Sequence, residues 1–215
     1  MPELSRVVYA PAPLRLTDVP GAAADCERIL PGFFGQPVNT VTCLGFLIGA
    51  TVVWRRRADL PTALLLAGVG LGSIAFHGPM FPGAEYLHDV TIVWALIWIV
   101  LWEYGRVSWW PAAFLVGAAV SATPALADPG QGLLAAAVVI SQLRRPTRGR
   151  LAILAVAAVG AIVGRLAATG GPLCFPDSVW QGHGFWHLSA AAALTGWGLH
   201  LHPREATLSG SEASP

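Results

Sequence analysis

The chain contains no lysine, and charged residues are scarce along its length. All 13 basic residues among the 215 are arginine, and charged side chains make up only 12% of the chain. Retinal proteins hold their chromophore on a lysine, so this class is excluded. A soluble domain is typically about 25% charged, so this chain has too little polar surface for a water-soluble fold. The net charge of +1 gives no indication of nucleic-acid binding.

Apolar residues dominate instead. They make up 54% of the chain, which also has 9 Trp and 24 Gly, as is typical of membrane helices. Runs of roughly 17–25 apolar residues without strict alternation favour spanning helices over strands. We therefore predict an all-α bundle of seven transmembrane helices, of which the fifth is the poorest match because it is short and begins with Gly and Gln. The spans are Val38–Trp54, Leu60–Phe76, Val90–Tyr104, Trp110–Ala125, Pro129–Leu143, Leu151–Ala167 and Gly184–Leu201.

Arginine sets the predicted orientation of the chain. With seven spans, nine arginines lie on one side of the membrane (Arg55, Arg56, Arg57, Arg106, Arg144, Arg145, Arg148, Arg150 and Arg204) and four on the other (Arg6, Arg15, Arg28 and Arg165). The positive-inside rule then places the N-terminus outside and the C-terminus in the cytoplasm. We expect an exoplasmic segment at 1–36 without a signal peptide, a transmembrane domain at 37–203, and a disordered cytoplasmic tail at 204–215.

Polar residues at the predicted helix ends collect at the outer membrane face. Ser73 and His77 are four residues apart near the end of the second helix, and His183 and His187 repeat this spacing at the start of the seventh. Residues at this spacing share a helix face, about 6 Å apart. Asp89 stands at the start of the third helix. Because a pair of imidazoles and a third from a facing helix make a tripod, the pattern predicts a metal site of three histidines beside Ser73 and Asp89.

Each of these residues has a simpler interpretation by itself. A lone histidine at a membrane interface is more often a solvated amphipathic side chain, and we interpret His88, His200 and His202 in this way. Ser73 alone would be a packing residue or would bond back to its own helix. Asp89 could be the N-cap of the third helix, although an ionisable group within a span is costly and usually functional. The combination at one depth on three helices favours the metal site.

The order SxxxH, then D, then HxxxH at these helix ends resembles the CREST superfamily. That group includes alkaline ceramidases, adiponectin and progestin receptors, and lipid-remodelling proteins of GPI anchors. The segments GHGFWH and DCERILPGFFGQPVNTVT are most similar to the ceramidase branch. The resemblance implies a lipid-amide substrate such as ceramide, catalytic roles for Asp89 and Ser73, and zinc bound by His77, His183 and His187.

The resemblance also bears on a second metal. Related sequences often carry an acidic residue just before the first helix, where this chain has Gln36. A calcium ion of the kind that some alkaline ceramidases bind would therefore lack one ligand here. Asp25 and Glu27 remain available, and a calcium site is expected near them if the chain has one.

The predicted site favours hydrolysis in the membrane. Zinc with three histidine ligands keeps a position for water and lowers the pKa of that water to about 7. Asp89 is the candidate general base and later acid, and Ser73 could orient the water or stabilise an oxyanion. We predict a zinc-dependent hydrolase that acts on a lipid amide from the bilayer. The alternatives are a non-catalytic receptor or structural membrane protein with a structural zinc, and a haem-binding redox protein.

The three cysteines are predicted to differ in state. Cys26 precedes the first helix and Cys174 precedes the seventh, so both face the oxidising outer side and should form a disulfide. The alternative is two unpaired loop thiols. Cys43 lies inside the first helix and should remain a free apolar filler.

Overall fold

The computed structural model describes residues 20–200, and every regular element in that range is helical. A 3-10 turn at Pro20–Asp25 precedes seven helices: α1 (Pro37–Arg57, with an irregularity at Cys43), α2 (Leu60–His77), α3 (Ala84–Glu103), α4 (Trp110–Ser121), α5 (Pro124–Leu143), α6 (Arg148–Leu166) and α7 (Gly182–His200). The predicted all-α class is confirmed for this part of the chain. The predicted tail, the first 19 residues, His202 and Arg204 lie outside the described residues.

Five of the seven helices, namely α1, α2, α3, α5 and α6, are long and apolar enough to cross a membrane. They fit a multi-pass membrane protein. Helix α4 has 12 residues, which at 1.5 Å per residue cover about 18 Å of a hydrocarbon core of about 30 Å. Helix α7 has 19 residues but carries three histidines, which lower its hydropathy. The predicted count of seven spans is therefore not confirmed.

The boundary between the fourth and fifth helices differs from the prediction. Helix α5 begins at Pro124 and continues through Pro129, so it has 20 residues. Pro124 is tolerated because it lies in the first turn, where the N–H that proline lacks would have no partner in the helix. The chain leaves the helical path before Pro124, since a residue that precedes proline disfavours helical dihedrals. The short helix of this pair is therefore α4. The prediction that the fifth helix would be the poorest match to a membrane span was wrong.

The ends of α1, α2, α3 and α7 meet at one end of the bundle, here called the histidine end. There Pro37, Ala84 and Gly182 begin helices and His77 ends one. Below them, Phe46, Val53, Leu66, Val69 and Ala191 belong to one buried core of α1, α2 and α7, which Ala95 of α3 completes. This shared core fixes the relative positions of the helix ends that carry the site.

A disulfide and several hydrogen bonds fasten the segment before α1 to the loop before α7. Cys26 and Cys174 form a disulfide, and Cys43 is free and buried, so both cysteine predictions are confirmed. The Thr169 hydroxyl accepts from the Cys26 N–H at 3.1 Å and donates to the Ala23 carbonyl at 2.6 Å. These contacts hold the 3-10 turn over the histidine end.

A buried carboxylate organises the opposite end, here called the arginine end, where Arg57 ends α1 and Arg148 begins α6. Glu103 of α3 accepts from Gln142 of α5 at 3.0 Å, from Trp197 of α7 at 3.2 Å and from Arg150 of α6 at 2.9 Å. One side chain therefore ties four helices together, because a buried charge is stable only when it is paired and hydrogen-bonded.

Candidate metal centre

Three histidine rings meet at the histidine end of the bundle. His77 is the last residue of α2, and His183 and His187 lie in the first two turns of α7. The ring centroids are 5.0 Å apart for His77 and His183, 4.9 Å for His77 and His187, and 4.5 Å for the α7 pair. One nitrogen from each ring lies within 4.8 Å of the others. The structure thus brings together the three predicted ligands, which could hold a metal ion.

The nitrogens available for a metal are the Nε2 atoms. All three are buried, and none has a hydrogen-bond partner among the described residues. Leaving a buried polar atom unpaired costs about 1–3 kcal/mol, so three together are unfavourable in a packed interior. Ligation of a metal by three neutral imidazoles removes this cost, and such a donor set suits zinc. The residues present therefore fit the group that the sequence predicts.

Gln36 fixes the ring of His77. It is fully buried, and its amide nitrogen donates to the carbonyls of Ala22 at 2.7 Å and Glu27 at 3.1 Å. Its Oε1 atom therefore faces Nδ1 of His77, at 2.6 Å. Because an amide oxygen only accepts, Nδ1 carries the proton and Nε2 keeps its lone pair for a metal.

His187 is oriented by the first turns of α1. Its Nδ1 atom lies 3.2 Å from the carbonyl oxygen of Asn39, 3.1 Å from the Thr42 hydroxyl and 3.4 Å from the Cys43 sulfur. The carbonyl accepts the Nδ1 proton, which again leaves Nε2 free. Ser73 is fully buried and lies beside the Cys43 thiol.

Asp25 supplies the carboxylate that contacts the cluster directly. Its Oδ1 atom lies 3.1 Å from Nδ1 of His183, and its Oδ2 atom lies 3.8 Å from Nδ1 of His77. Oδ2 is buried without a hydrogen-bond partner in residues 20–200. Burial, and then the nearby charge of Glu27, raises the pKa of Asp25 to about 7. Carboxylate contacts to ligand histidines are a common way of fixing ring orientation in metal sites.

Sequence reasoning considered Asp25 only for calcium, together with Glu27. Both oxygens of Glu27 instead accept from the first free N–H groups of α1, Val38 at 2.7 Å and Asn39 at 2.8 Å, which caps the positive end of that helix. The two acids thus serve different partners, and no cluster of three or more His, Cys, Asp or Glu side chains within residues 20–200 contains either of them. Calcium binding stays a prediction.

Asp89 contacts His88 and Gln131 in the structure. Helix α3 begins at Ala84 after Gly83, so Asp89 lies in its second turn and the interpretation as an N-cap is wrong. Its Oδ1 atom accepts from Gln131 at 3.0 Å and faces Nδ1 of His88 at 3.0 Å. Its catalytic role stays a prediction.

His88 connects Asp89 to the cluster. Its ring stacks on Phe76, with centroids 4.6 Å apart, and lies 5.9 Å from the ring of His77. The expectation of a solvated histidine was wrong here, because the side chain is only 15% exposed. His200 lies far from the cluster: it is thirteen residues from His187 along α7, about 20 Å at 1.5 Å per residue.

Comparison with known proteins adds no identification. No family model matches the chain, and no curated protein or solved structure is significantly similar to it. The resemblance to the CREST superfamily therefore stays a prediction based on about five motif residues. The geometry by itself establishes that residues 20–200 are helical, with five candidate membrane spans and three histidines that could hold a metal ion.

Proposed function

We propose that the protein is a seven-helix membrane hydrolase of the CREST type, which holds zinc through His77, His183 and His187 and cleaves a lipid amide such as ceramide. One observation carries the proposal: the three histidines offer nitrogens within 4.8 Å of one another, their buried Nε2 atoms have no hydrogen-bond partner among residues 20–200, and each Nδ1 faces an oxygen acceptor of the protein. Zinc bound there would polarise the amide carbonyl and lower the pKa of an attacking water to about 7.

Two acidic residues have separate proposed roles at this site. Asp89 is the proposed general base, which takes the proton of the attacking water and later gives it to the leaving amine. The 3.0 Å contact between Asp89 and His88 supports proton transfer between Asp89 and the histidine cluster. Asp25 is a positioning residue that orients His183 through the 3.1 Å contact. Ser73, one turn before His77, would donate a hydrogen bond to the developing oxyanion.

A groove in the bundle supports a lipid substrate. It has a volume of about 860 Å³ and lies between α2, α3 and α4, with an almost entirely apolar lining. Gly68 and Thr91 line it; Gly68 is nine residues before His77, about 13 Å at 1.5 Å per residue, and Thr91 is two residues after Asp89. The groove does not contain the histidines, so it would hold an acyl chain and not the amide.

The arginine distribution supports the proposed topology. In this proposal α4 and α7 also cross the membrane, as packed members of the bundle. The arginine end then carries Arg55, Arg56 and Arg57 at the end of α1, and Arg148 and Arg150 at the start of α6. The positive-inside rule makes this end cytoplasmic, so the N-terminus and the metal site face the exoplasm.

The proposal is tested by hydrolysis of lipid amides by purified, zinc-loaded protein. We expect turnover in the wild type and none in His187→Ala. Asp89→Asn should keep zinc and lose roughly 10²- to 10⁴-fold in kcat, the usual contribution of general-base assistance. Asp128→Asn is the matched control, because this exposed acid lies on the neighbouring α5 and should leave kcat unchanged. Equal activity of Asp89→Asn and wild type would remove Asp89 from the mechanism.

A structural zinc in a non-catalytic membrane protein is the second candidate. One observation favours it: the buried, unpartnered Oδ2 of Asp25 lies beside the cluster. Through its contacts with the Nδ1 atoms of His77 and His183, Asp25 would link the turn before α1 to a zinc ion that holds α2 and α7 together, which is a structural role. This candidate predicts that zinc-loaded wild type cleaves no lipid amide but loses stability when a chelator removes the metal.

A further inference from the structure

Two loops at the histidine end expose large apolar side chains outside the helices. The first loop, residues 27–35, precedes α1, and the second, residues 167–181, precedes α7. Phe33 is 61% exposed, Val179 76% and Trp180 87%. In water, such a concentration of exposed apolar surface is unfavourable and normally marks a site of interaction. We call the exposed set the apolar rim: Phe33, Phe34, Leu173, Phe175, Val179 and Trp180.

The two loops form one surface because three links join them. Cys26 and Cys174 share a disulfide at the base of the loops. The Arg28 N–H donates to the Pro176 carbonyl at 3.0 Å, and the Arg28 guanidinium pairs with Asp177 at 2.7 Å. The apolar rim is therefore held together and does not depend on the chance approach of two independent loops.

Charge does not oppose contact between the apolar rim and lipid. Arg28 and Asp177 neutralise each other across the two loops, and the Glu27 carboxylate is engaged at the start of α1. Residues 29–35 and 167–176 contain no Asp, Glu or Arg. A neutral surface that is rich in phenylalanine and tryptophan has the composition of segments that sit at membrane interfaces.

The apolar rim is flanked along the chain by exposed apolar side chains of α6 and α7. Phe185 and Leu188 on α7 are exposed directly after Trp180, and Ile162 and Leu166 are exposed at the end of α6. Trp180 is two residues before the start of α7. The apolar rim therefore lies at the level where α6 ends and α1 begins, and both of these helices are long and apolar enough to cross a membrane.

We propose that the apolar rim inserts into the lipid leaflet at the histidine end, with the boundary between headgroups and acyl chains as its partner. Insertion removes the exposed phenylalanine, valine and tryptophan surface from water. It also sets the approach to Asp25 and His183 at the depth of a lipid headgroup. The inference goes beyond the proposed hydrolysis, because it depends only on the loops and holds equally for a non-catalytic protein.

The test is a depth measurement on the full chain in phosphatidylcholine vesicles. A nitroxide label is attached to Val179→Cys on one loop and, separately, to Phe33→Cys on the other. Both positions are exposed, so the substitutions remove no core packing, and an unfolding temperature equal to that of the wild type reports folding. The native thiols do not compete, since Cys43 is buried and the other two are bonded. Arg145→Cys, in the polar loop at the arginine end, is the matched control.

The measurement gives the collision rate of each label with O₂, divided by its collision rate with a water-soluble nickel complex. Because O₂ concentrates in hydrocarbon, we expect this ratio to be severalfold higher at Val179 and Phe33 than at Arg145. Ratios equal to that of Arg145 would overturn the inference, since the apolar rim would then face water. Low collision rates with both reagents would also overturn it, because a second copy or another protein would then cover the apolar rim.

Discussion

Replacing Gln36 with leucine should weaken metal binding without removing a ligand. The side chain is fully buried and nearly the same size as leucine, so the change removes polar contacts more than volume. The decisive loss is the acceptor 2.6 Å from Nδ1 of His77. A metal on Nε2 keeps the proton on Nδ1, which in the variant is buried with no acceptor at hydrogen-bond distance, since the nearest carboxylate oxygen, Oδ2 of Asp25, lies 3.8 Å away.

The magnitude follows from comparing the two states of the variant. With metal bound, the unsatisfied Nδ1–H costs about 1–3 kcal/mol. Without metal, the neutral ring can move its proton to Nε2 and avoid part of this cost. The lost contacts to the Ala22 and Glu27 carbonyls affect both states alike and cancel. We therefore expect zinc affinity to fall about 10- to 100-fold, as is usual when a contact that orients a ligand histidine is lost.

Competition with a chromophoric chelator at fixed pH measures this loss. Gln142→Leu is the matched control: it is also a buried glutamine, but it bonds Glu103 at the arginine end. Both variants should unfold at a lower temperature than the wild type, and only Gln36→Leu should lose zinc affinity. Wild-type affinity in Gln36→Leu, or an equal loss in Gln142→Leu, would show that Gln36 does not prepare His77 for the metal.

Three further predictions concern topology, the disulfide and Asp25. Reporter fusions at Arg57 and at Pro215 should both read cytoplasmic; an exoplasmic reading at either would contradict seven spans. Cys26→Ser should lower the free energy of unfolding by about 2–5 kcal/mol in denaturant titrations, because it opens a long loop; unchanged stability would argue against this role. Asp25→Asn should weaken zinc binding about 10- to 100-fold in the chelator assay, and undiminished affinity would show that Asp25 does not orient His183.

The helical architecture could be read from the sequence more reliably than the number of spans. Long apolar runs predicted α1, α2, α3 and α6 to within a few residues, except that α3 begins at Ala84, six residues before the predicted start. Hydropathy did not predict the boundary between α4 and α5, because these two proline-containing helices share one apolar stretch and separate only between Ser121 and Pro124. It also could not establish α7 as a span, because the histidines that suggest the site reduce the apolar character of that helix.

The sequence predicts the ligands of the candidate site but not the residues that orient them. Histidines four residues apart share a helix face, so His183 and His187 were accessible from spacing alone. Gln36 and Asp25 lie in an irregular segment without periodicity, and their partners are 41 and 158 residues away in sequence. The available signal was the position of Asp25 beside Cys26, whose disulfide partner is nine residues before His183.

Metal content most directly tests whether the three histidines form a metal centre. Full-length protein is purified from zinc-supplemented cells, and elemental analysis compares wild type with His187→Ala and with Ser189→Ala on the same helix. We expect about one zinc per chain in the wild type and in Ser189→Ala, and almost none in His187→Ala, since two imidazoles cannot hold a tetrahedral site tightly. A folded wild type that takes up no metal, or His187→Ala with the same zinc content as the wild type, would contradict the account.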